Sequence, residues 1–402
     1  MQQFDYVVIG GGIVGLSAAW AILERKSNIR LAVIEKENEW AAHQSGRNSG
    51  VIHSGIYYKP GSMKAKLCRE GNRRMVEFCD LYGIRYEECG KIIVATTAAE
   101  LPALENLYQR GLANGLAVKN IGASQVKEIE PHVKCIAGVH VPSTGIADFA
   151  GVCRKLAELL AAAGCELWLG AKVEALRGNG SGTAVETSKG TVGARWIINC
   201  AGLHSDRIAK IAGADPGARI VPFRGEYYEL KPERRGLVHN LIYPVPDPNF
   251  PFLGVHFTRM IDGSVHAGPN AVLSFKREGY HRTSFDARDF MEVMTYAGFW
   301  RLASKHAKSG LAEMYRSFSK KAFLRSLQTL IPDVREEDLI PAAAGVRAQA
   351  LKPDGSLVDD FLIVNGSSAT HVCNAPSPAA TASLEIGRVI AEQIPLQNRV
   401  SV

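Results

Sequence analysis

The 402-residue sequence contains no Cys-x-x-Cys pair and no cluster of cysteine with histidine. Its eight cysteines, at 68, 79, 89, 135, 153, 165, 200 and 373, lie far apart. That scatter argues against a zinc site or a disulfide framework; it predicts reduced thiols, no metal and a cytoplasmic location. The first residues, Met1-Gln2-Gln3-Phe4-Asp5, lack the basic segment of a secretory signal. Tyr6 to Leu23 is uncharged and long enough to suggest a membrane span, but Gly10, Gly11, Gly12 and Gly15 interrupt it. A buried strand, a glycine turn and a buried helix in series account for it better. Internal repeats and low-complexity segments are absent. Charge imbalance is small: 47 Lys and Arg against 40 Asp and Glu give +7, too diffuse to argue for a nucleic-acid partner. At 46% hydrophobic and 22% charged residues, the chain is neither disordered nor collagen-like. Its length allows about two to three domains.

What is present begins at Tyr6. Tyr6-Val7-Val8-Ile9 reads as a strand covered on both faces. Gly10-Gly11-Gly12-Ile13-Val14-Gly15 follows as G-x-G-x-x-G, and Leu16 to Arg25 continues as a helix. Leu31-Ala32-Val33-Ile34 is a second strand ending in Glu35, 20 residues beyond Gly15. This order is the dinucleotide-binding fingerprint. Gly10 permits the tight turn, Gly12 lets backbone approach a pyrophosphate, and Gly15 lets helix and strand pack closely. The helix start offers unpaired N–H groups to phosphate. Glu35 can accept from a ribose diol, and its charge disfavours a 2′-phosphate.

The motif alone does not choose between NAD and FAD. No second G-x-G-x-x-G follows a later strand. Ala42 to Tyr58 is instead a long stretch of small and polar residues, suited to lie along an extended cofactor. Arg195 to Cys200 reads as a strand running into Ala201-Gly202. Ala343-Ala344-Gly345-Val346-Arg347 precedes a strand at Phe361 to Val364. His371 to Thr381 is read as opening a helix that runs to about Gln393, with its N-terminus facing the cofactor.

The chain resembles the FAD-dependent L-2-hydroxyglutarate dehydrogenases and oxidases, within the D-amino-acid-oxidase-like flavoproteins. The most selective stretch is Arg47 through Pro60, including His53-Ser54-Gly55-Ile56-Tyr57-Tyr58. Lys64 to Cys68, Cys89 to Ala95, Gly254 to Thr258, Gly268 to Val272, Lys276 to Tyr280 and Asn374 to Thr381 also fit, so the blocks span essentially the whole chain. The resemblance implies FAD and oxidation of L-2-hydroxyglutarate to 2-oxoglutarate, with a quinone or oxygen as electron acceptor. It implies an α/β fold with a Rossmann-like FAD-binding domain and a discontinuous substrate domain of α+β type. We expect 1–80, 148–218 and 335–402 in the first, and 81–147 with 219–334 in the second. Expected cofactor contacts are Gly10, Gly12, Ile13, Val14, Gly15, Glu35, Lys36, Gln44, Ser45, Asn48, Ser49, Gly50, Val51, Val173, Ala201, Gly202, Gly345, Ser377, Pro378, Ala379, Ala380 and Thr381. Amino-acid or glycerol 3-phosphate oxidation on the same scaffold is the alternative, and a flavin-dependent RNA-binding protein is a more distant one.

After Pro216, Arg219 to Leu230, Leu241 to Tyr243, Phe252 to Thr258 and Ser264 to Gly268 read as strands of an antiparallel sheet. Lys91 to Thr96 and Ala137 to Val141 are expected to join it. The resemblance implies that this sheet roofs the flavin and that substrate lies between them. Oxidising a 2-hydroxy acid requires a hydride acceptor, a base for the hydroxyl proton and cations for the carboxylates. His53 and His256 are the candidate bases, His53 slightly favoured because it belongs to the cofactor-proximal loop. Arg347 is the candidate carboxylate clamp, since arginine binds carboxylate bidentately. Arg224 and Arg259 are candidates for the distal carboxylate, and Tyr57, Tyr58 and Tyr243 for hydroxyl donors.

Asp286 to Leu330 reads as helical. Between Arg301 and Arg325 lie seven Lys and Arg and one acid, Glu313. Leu311, Met314, Tyr315 and Phe318 recur at helical spacing. A basic helix with an aromatic-rich face suits the surface of an anionic bilayer, so peripheral attachment to the inner face of the cell membrane is expected.

Overall fold

The computed structural model describes residues 1–178, 182–247 and 253–395. Gln2–Ile9 forms the central strand of an eight-stranded sheet. Its side chains alternate as the strand period requires: Tyr6 and Val8 enter one apolar cluster, Val7 and Ile9 another. Leu31–Ile34 pairs parallel on one side and Gly190–Asn199 parallel on the other. Glu166–Trp168 extends one edge and the Val173–Gly178/Thr183–Thr187 hairpin the other. Ala369–Asn374 pairs parallel with the end of Gly190–Asn199, and Leu362–Asn365 lies beyond it. Helices Ile13–Arg25, Phe149–Ala162 and Ser383–Gln393 cover one face. The first and last meet so closely that a Cβ on Gly387 would lie 2.4 Å from the Ser17 carbonyl oxygen.

A second eight-stranded sheet runs Leu339–Pro341, Tyr228–Leu230, Val265–Gly268, His256–Arg259, Leu241–Pro244, Lys91–Ala95, Ala137–Val141 and Lys119–Gly122. It is antiparallel except where Leu241–Pro244 meets Lys91–Ala95. Ile92 and Val94 pack under Phe323 and Leu327, whereas Ile93 and Ala95 face a separate cluster that contains Tyr243. The architecture is mixed α/β, a Rossmann-like sheet with an antiparallel one. No helix among the described residues is long and apolar enough to cross a membrane, and Tyr6–Leu23 is strand, turn and helix.

Three local expectations change. Arg219–Gly225 leaves the large antiparallel sheet and pairs with Gly345–Leu351 and Val272–Leu273 in a small sheet of its own. His371 to Asn374 is strand, turns occupy 377–382, and the last helix starts only at Ser383. Buried β-branched and polar residues at 369–374 continue the parallel sheet, and prolines at 376 and 378 prevent a helix there. The expected strand from Phe252 begins at His256, and Phe252 itself lies outside the described residues. The 286–330 segment is four short helices, Ala287–Met294, Ala297–Lys305, Ala307–Phe318 and Lys320–Gln328.

Candidate active site

A cavity of 1810 Å³ reaches from the glycine turn at the first helix to the inner face of the antiparallel sheet. At one end the glycines leave backbone bare. Gly10 has φ of 110°, and a Cβ there would lie 2.4 Å from the Cys200 carbonyl oxygen. On Gly15 it would lie 2.0 Å from the Gly10 oxygen, so Gly15 serves helix–strand packing and does not line the cavity. The Glu35 carboxylate accepts from Gly11 N–H at 2.7 Å and Glu37 N–H at 2.9 Å, and still borders the cavity. Ser45 Oγ accepts from Ile13 N–H at 2.8 Å, pinning the polar loop against the helix start. The Asn48 amide donates to the Gln44 and Ser45 carbonyls and holds that loop in shape.

The other end is walled by His53, Tyr57, Tyr58, Tyr243, His256 and Arg347. His53 hangs from a segment tied down by Thr381, whose Oγ accepts from His53 N–H and donates to the Val51 carbonyl. Its Nε2 lies 3.4 Å from Ser377 Oγ. His256 Nδ1 is 2.8 Å from the Gly254 carbonyl, which can only accept. Nδ1 therefore carries the proton and Nε2 is the basic nitrogen. The His256 ring stacks on Tyr243 with centroids 3.9 Å apart. Burial, with Lys91 and His256 nearby opposing a further positive charge, pushes the His53 pKa down to about 3. Burial pushes His256 down to about 3 as well, against the Gly254 hydrogen bond and with help from Arg347 and Lys91. Both rings are neutral at pH 7, each with one ring nitrogen that carries no proton. Burial holds Tyr57 and Tyr58 well above the usual phenol range, so both remain donors. Burial also lowers Arg347 from its ordinary value.

Residues 5–393 match the family described as FAD dependent oxidoreductase. The L-2-hydroxyglutarate dehydrogenase of Indibacter alkaliphilus is 51% identical over 97% of this chain and 98% of its own. That of Escherichia coli K12 is 46% identical over 98% of this chain and 93% of its own. The chain belongs to the L-2-hydroxyglutarate dehydrogenase family of FAD-dependent oxidoreductases. The human mitochondrial family member is 44% identical over 98% of this chain and 89% of its own. Among solved structures, FAD-bound L-alpha-glycerophosphate oxidase from Mycoplasma pneumoniae superposes with a TM-score of 0.80 at 20% identity, covering 100% of this chain and 97% of that one. Glycine oxidase from Geobacillus kaustophilus gives 0.72 at 18%, covering 98% and 94%. At such identity these two share the fold.

The cofactor of the family is FAD, and the chain has a cradle for it. A side chain on Gly12, Gly202 or Gly345 would meet Ser45 Oγ at 3.1 Å, Gln44 Oε1 at 3.0 Å or the Arg47 carbonyl at 2.6 Å, so these glycines keep backbone open to the cavity. Ile13, Val14, Glu35, Lys36, Gln44, Ser45, Asn48, Ser49, Val51, Val173, Ala201, Ser377, Pro378, Ala379 and Ala380 line the same cavity. Gly50 and Thr381 do not: Gly50 turns the chain at φ 66°, and Thr381 braces His53. Lys36 spends its ammonium on Glu37 and on Glu278 at 2.6 Å. That arrangement brings Glu37, His43 and Glu278 together on a lysine already in place.

Two expected substrate residues lie elsewhere. Arg224 is buried against Glu226 at 3.0 Å and donates to the His281 carbonyl, because its strand belongs to the small sheet. Arg259 pairs with Glu87 at the far end of its strand. Neither borders the cavity. Tyr227 does, and was not singled out, since it stands between two strands where alternation gives no signal. Lys91, the first residue of an apolar run, gives no such signal either; it is buried to 1% exposure beside Tyr57 and Tyr243.

Proposed function

We propose that this family member oxidises L-2-hydroxyglutarate to 2-oxoglutarate and passes the electrons to a quinone or to oxygen. The observation that carries the reading is one cavity that joins the glycine cradle to a wall of two neutral histidines, three tyrosines and a buried arginine. The identity to L-2-hydroxyglutarate dehydrogenases over nearly the full chain supports the choice of substrate. FAD, when bound, supplies the acceptor for the C2 hydride. Arg347 holds the C1 carboxylate through a planar fork. One of the two histidines, His53 by preference, takes the hydroxyl proton, and the tyrosine hydroxyls orient the substrate. Segments 1–80, 148–218 and 335–402 form the FAD-binding unit in this reading, with 81–147 and 219–334 forming the substrate unit. Incubating purified holoenzyme with L-2-hydroxyglutarate and either air or a soluble quinone tests it. The expected product is 2-oxoglutarate with at least one acceptor. Absence of that product with both refutes the reading.

The acceptor bears on location. On helix Ala307–Phe318, Leu311, Met314, Tyr315 and Phe318 are 67, 49, 59 and 77% exposed, and Trp300 nearby is 55% exposed. Phe323 and Leu327 on the next helix are core. The apolar stripe that helices normally bury is therefore open to solvent here, with exposed Lys321 and Arg325 following it. We propose that this surface docks on an anionic bilayer, where quinones reside. Lys320 is engaged with the Leu339 carbonyl and contributes less.

A further inference from the structure

Lys91 is a buried cation with no carboxylate within salt-bridge distance among the described residues. It opens strand Lys91–Ala95, and alternation sends its side chain to the face of Ile93 and Ala95, the Tyr243 side. Its Nζ lies 4.5 Å from the Tyr57 ring centroid and 4.8 Å from that of Tyr243. Both tyrosines border the cavity, and the Tyr57 hydroxyl is itself buried without a hydrogen-bond partner among the described residues. An ammonium held against aromatic rings with no carboxylate, and a buried hydroxyl with no hydrogen-bond partner, among the described residues, thus stand together behind one wall. Such groups are costly unless something completes them.

We propose that Lys91, acting through Tyr57 and Tyr243, is the positioning residue that selects a second carboxylate on the substrate, the Tyr57 hydroxyl donating to that carboxylate and the Lys91 charge balancing it. The proposal rests on the dicarboxylate reading above and replaces Arg224 and Arg259 in the role expected of them. A monocarboxylate needs only Arg347. The second negative charge would make use of Lys91, at a spacing where surrounding protein screens weakly.

The groups facing Lys91 are Tyr57 and Tyr243, the Cys68 thiol, and the rings of His53 and His256, with Leu241 and Val141 beside it on the neighbouring strands. Burial pushes Lys91 down to about 7, while the histidines sit at about 3, Cys68 at about 12 and the tyrosines higher still than ordinary phenol. Between pH 6.5 and 8.5 Lys91 is therefore the one of these that titrates. A bound dianion favours its charged form, so binding takes up a proton, and dianion affinity falls as pH rises.

The test uses holoenzyme and two unreactive ligands, glutarate and butyrate, titrated by their perturbation of the flavin absorption band. Both ligands are fully ionised across the range. Wild type is expected to prefer glutarate, and the preference should decline about tenfold between pH 6.5 and 8.5. Lys91→Met should lower the glutarate-to-butyrate affinity ratio about tenfold and remove its pH slope. Lys91→Arg should keep the preference and lose the slope. A wild-type preference that is absent or constant with pH overturns the proposal and needs no variant. A preference that survives in Lys91→Met overturns it too. If glutarate binds as described but L-2-hydroxyglutarate is not oxidised, the functional reading fails and the Lys91 subsite stands. If oxidation occurs and the slope is missing, the reverse holds.

Discussion

Glu35 shows how one side chain shapes the fold and still borders the cavity. Its carboxylate accepts backbone N–H groups from Gly11 and Glu37, which sets the glycine turn, and its remaining lone pairs face the cavity. Glu35→Ala is expected to lose FAD on dialysis, measured by the flavin-to-protein absorbance ratio, while the retained fraction keeps its substrate preference. For the base, His53→Ala and His256→Ala should each retain FAD, and at least one should slow flavin reduction by about 10²–10⁴-fold in stopped flow. Unchanged reduction rates in both would remove histidine from the mechanism. Arg347→Lys replaces a planar fork with a point charge and should raise KM and slow reduction together. The glycine turn, the helix start and Glu35 at one end of the cavity are legible in sequence because they sit at a fixed spacing along one stretch of chain. The surroundings of Arg224 and Arg259, which do not border the cavity, are less so. Arg224 pairs with Glu226, two residues further on, and Arg259 with Glu87, whose nearness to it no local pattern reveals.

At the level of elements, spacing was informative wherever an element is covered on both faces. The strand Leu31–Ile34 runs over the residues that its apolar run indicated, and the first helix begins three residues earlier than its Ala- and Leu-rich portion. Packing here depends on Gly15, whose Cβ position is occupied by the Gly10 carbonyl. Gly15→Ala should therefore push the helix off the strand, cost about 1–3 kcal/mol and lower FAD occupancy, as read by urea denaturation with and without added FAD. The last helix is expected to open across His371 to Thr381 and starts only at Ser383. That stretch is strand to Asn374 and then turn, Ala375 to Ala380 border the cavity, and Thr381 braces His53, so its small residues and prolines serve the cavity wall and not a helix start. The helix Ala307–Phe318 presents the opposite case: a periodic apolar stripe that the fold leaves uncovered. Cosedimentation with anionic vesicles is expected to weaken with salt and to fall on Lys321→Glu with Arg325→Glu. It should fall further on Phe318→Ser. Binding indifferent to all three would remove the bilayer as the occupant of this face.

Across the whole molecule, the fold brings together residues more than 300 positions apart, as at His53 with Ser377 and Thr381. The burial that creates the site also makes it sensitive to acid. His53 and His256 titrate at about 3 when folded against an ordinary 6.5, so the unfolded chain binds more protons between those values. Stability should rise with pH across that window and fall on acidification from 6.5 toward 3. Urea midpoints should follow this slope, and it should flatten in His53→Gln with His256→Gln. The direct test of the central claim is anaerobic mixing of holoenzyme with a panel of acids while the flavin absorbance is followed. L-2-hydroxyglutarate should bleach the flavin, and glycine, D-alanine and glycerol 3-phosphate should leave it oxidised. Bleaching by any of those three, with none by L-2-hydroxyglutarate, would contradict the account.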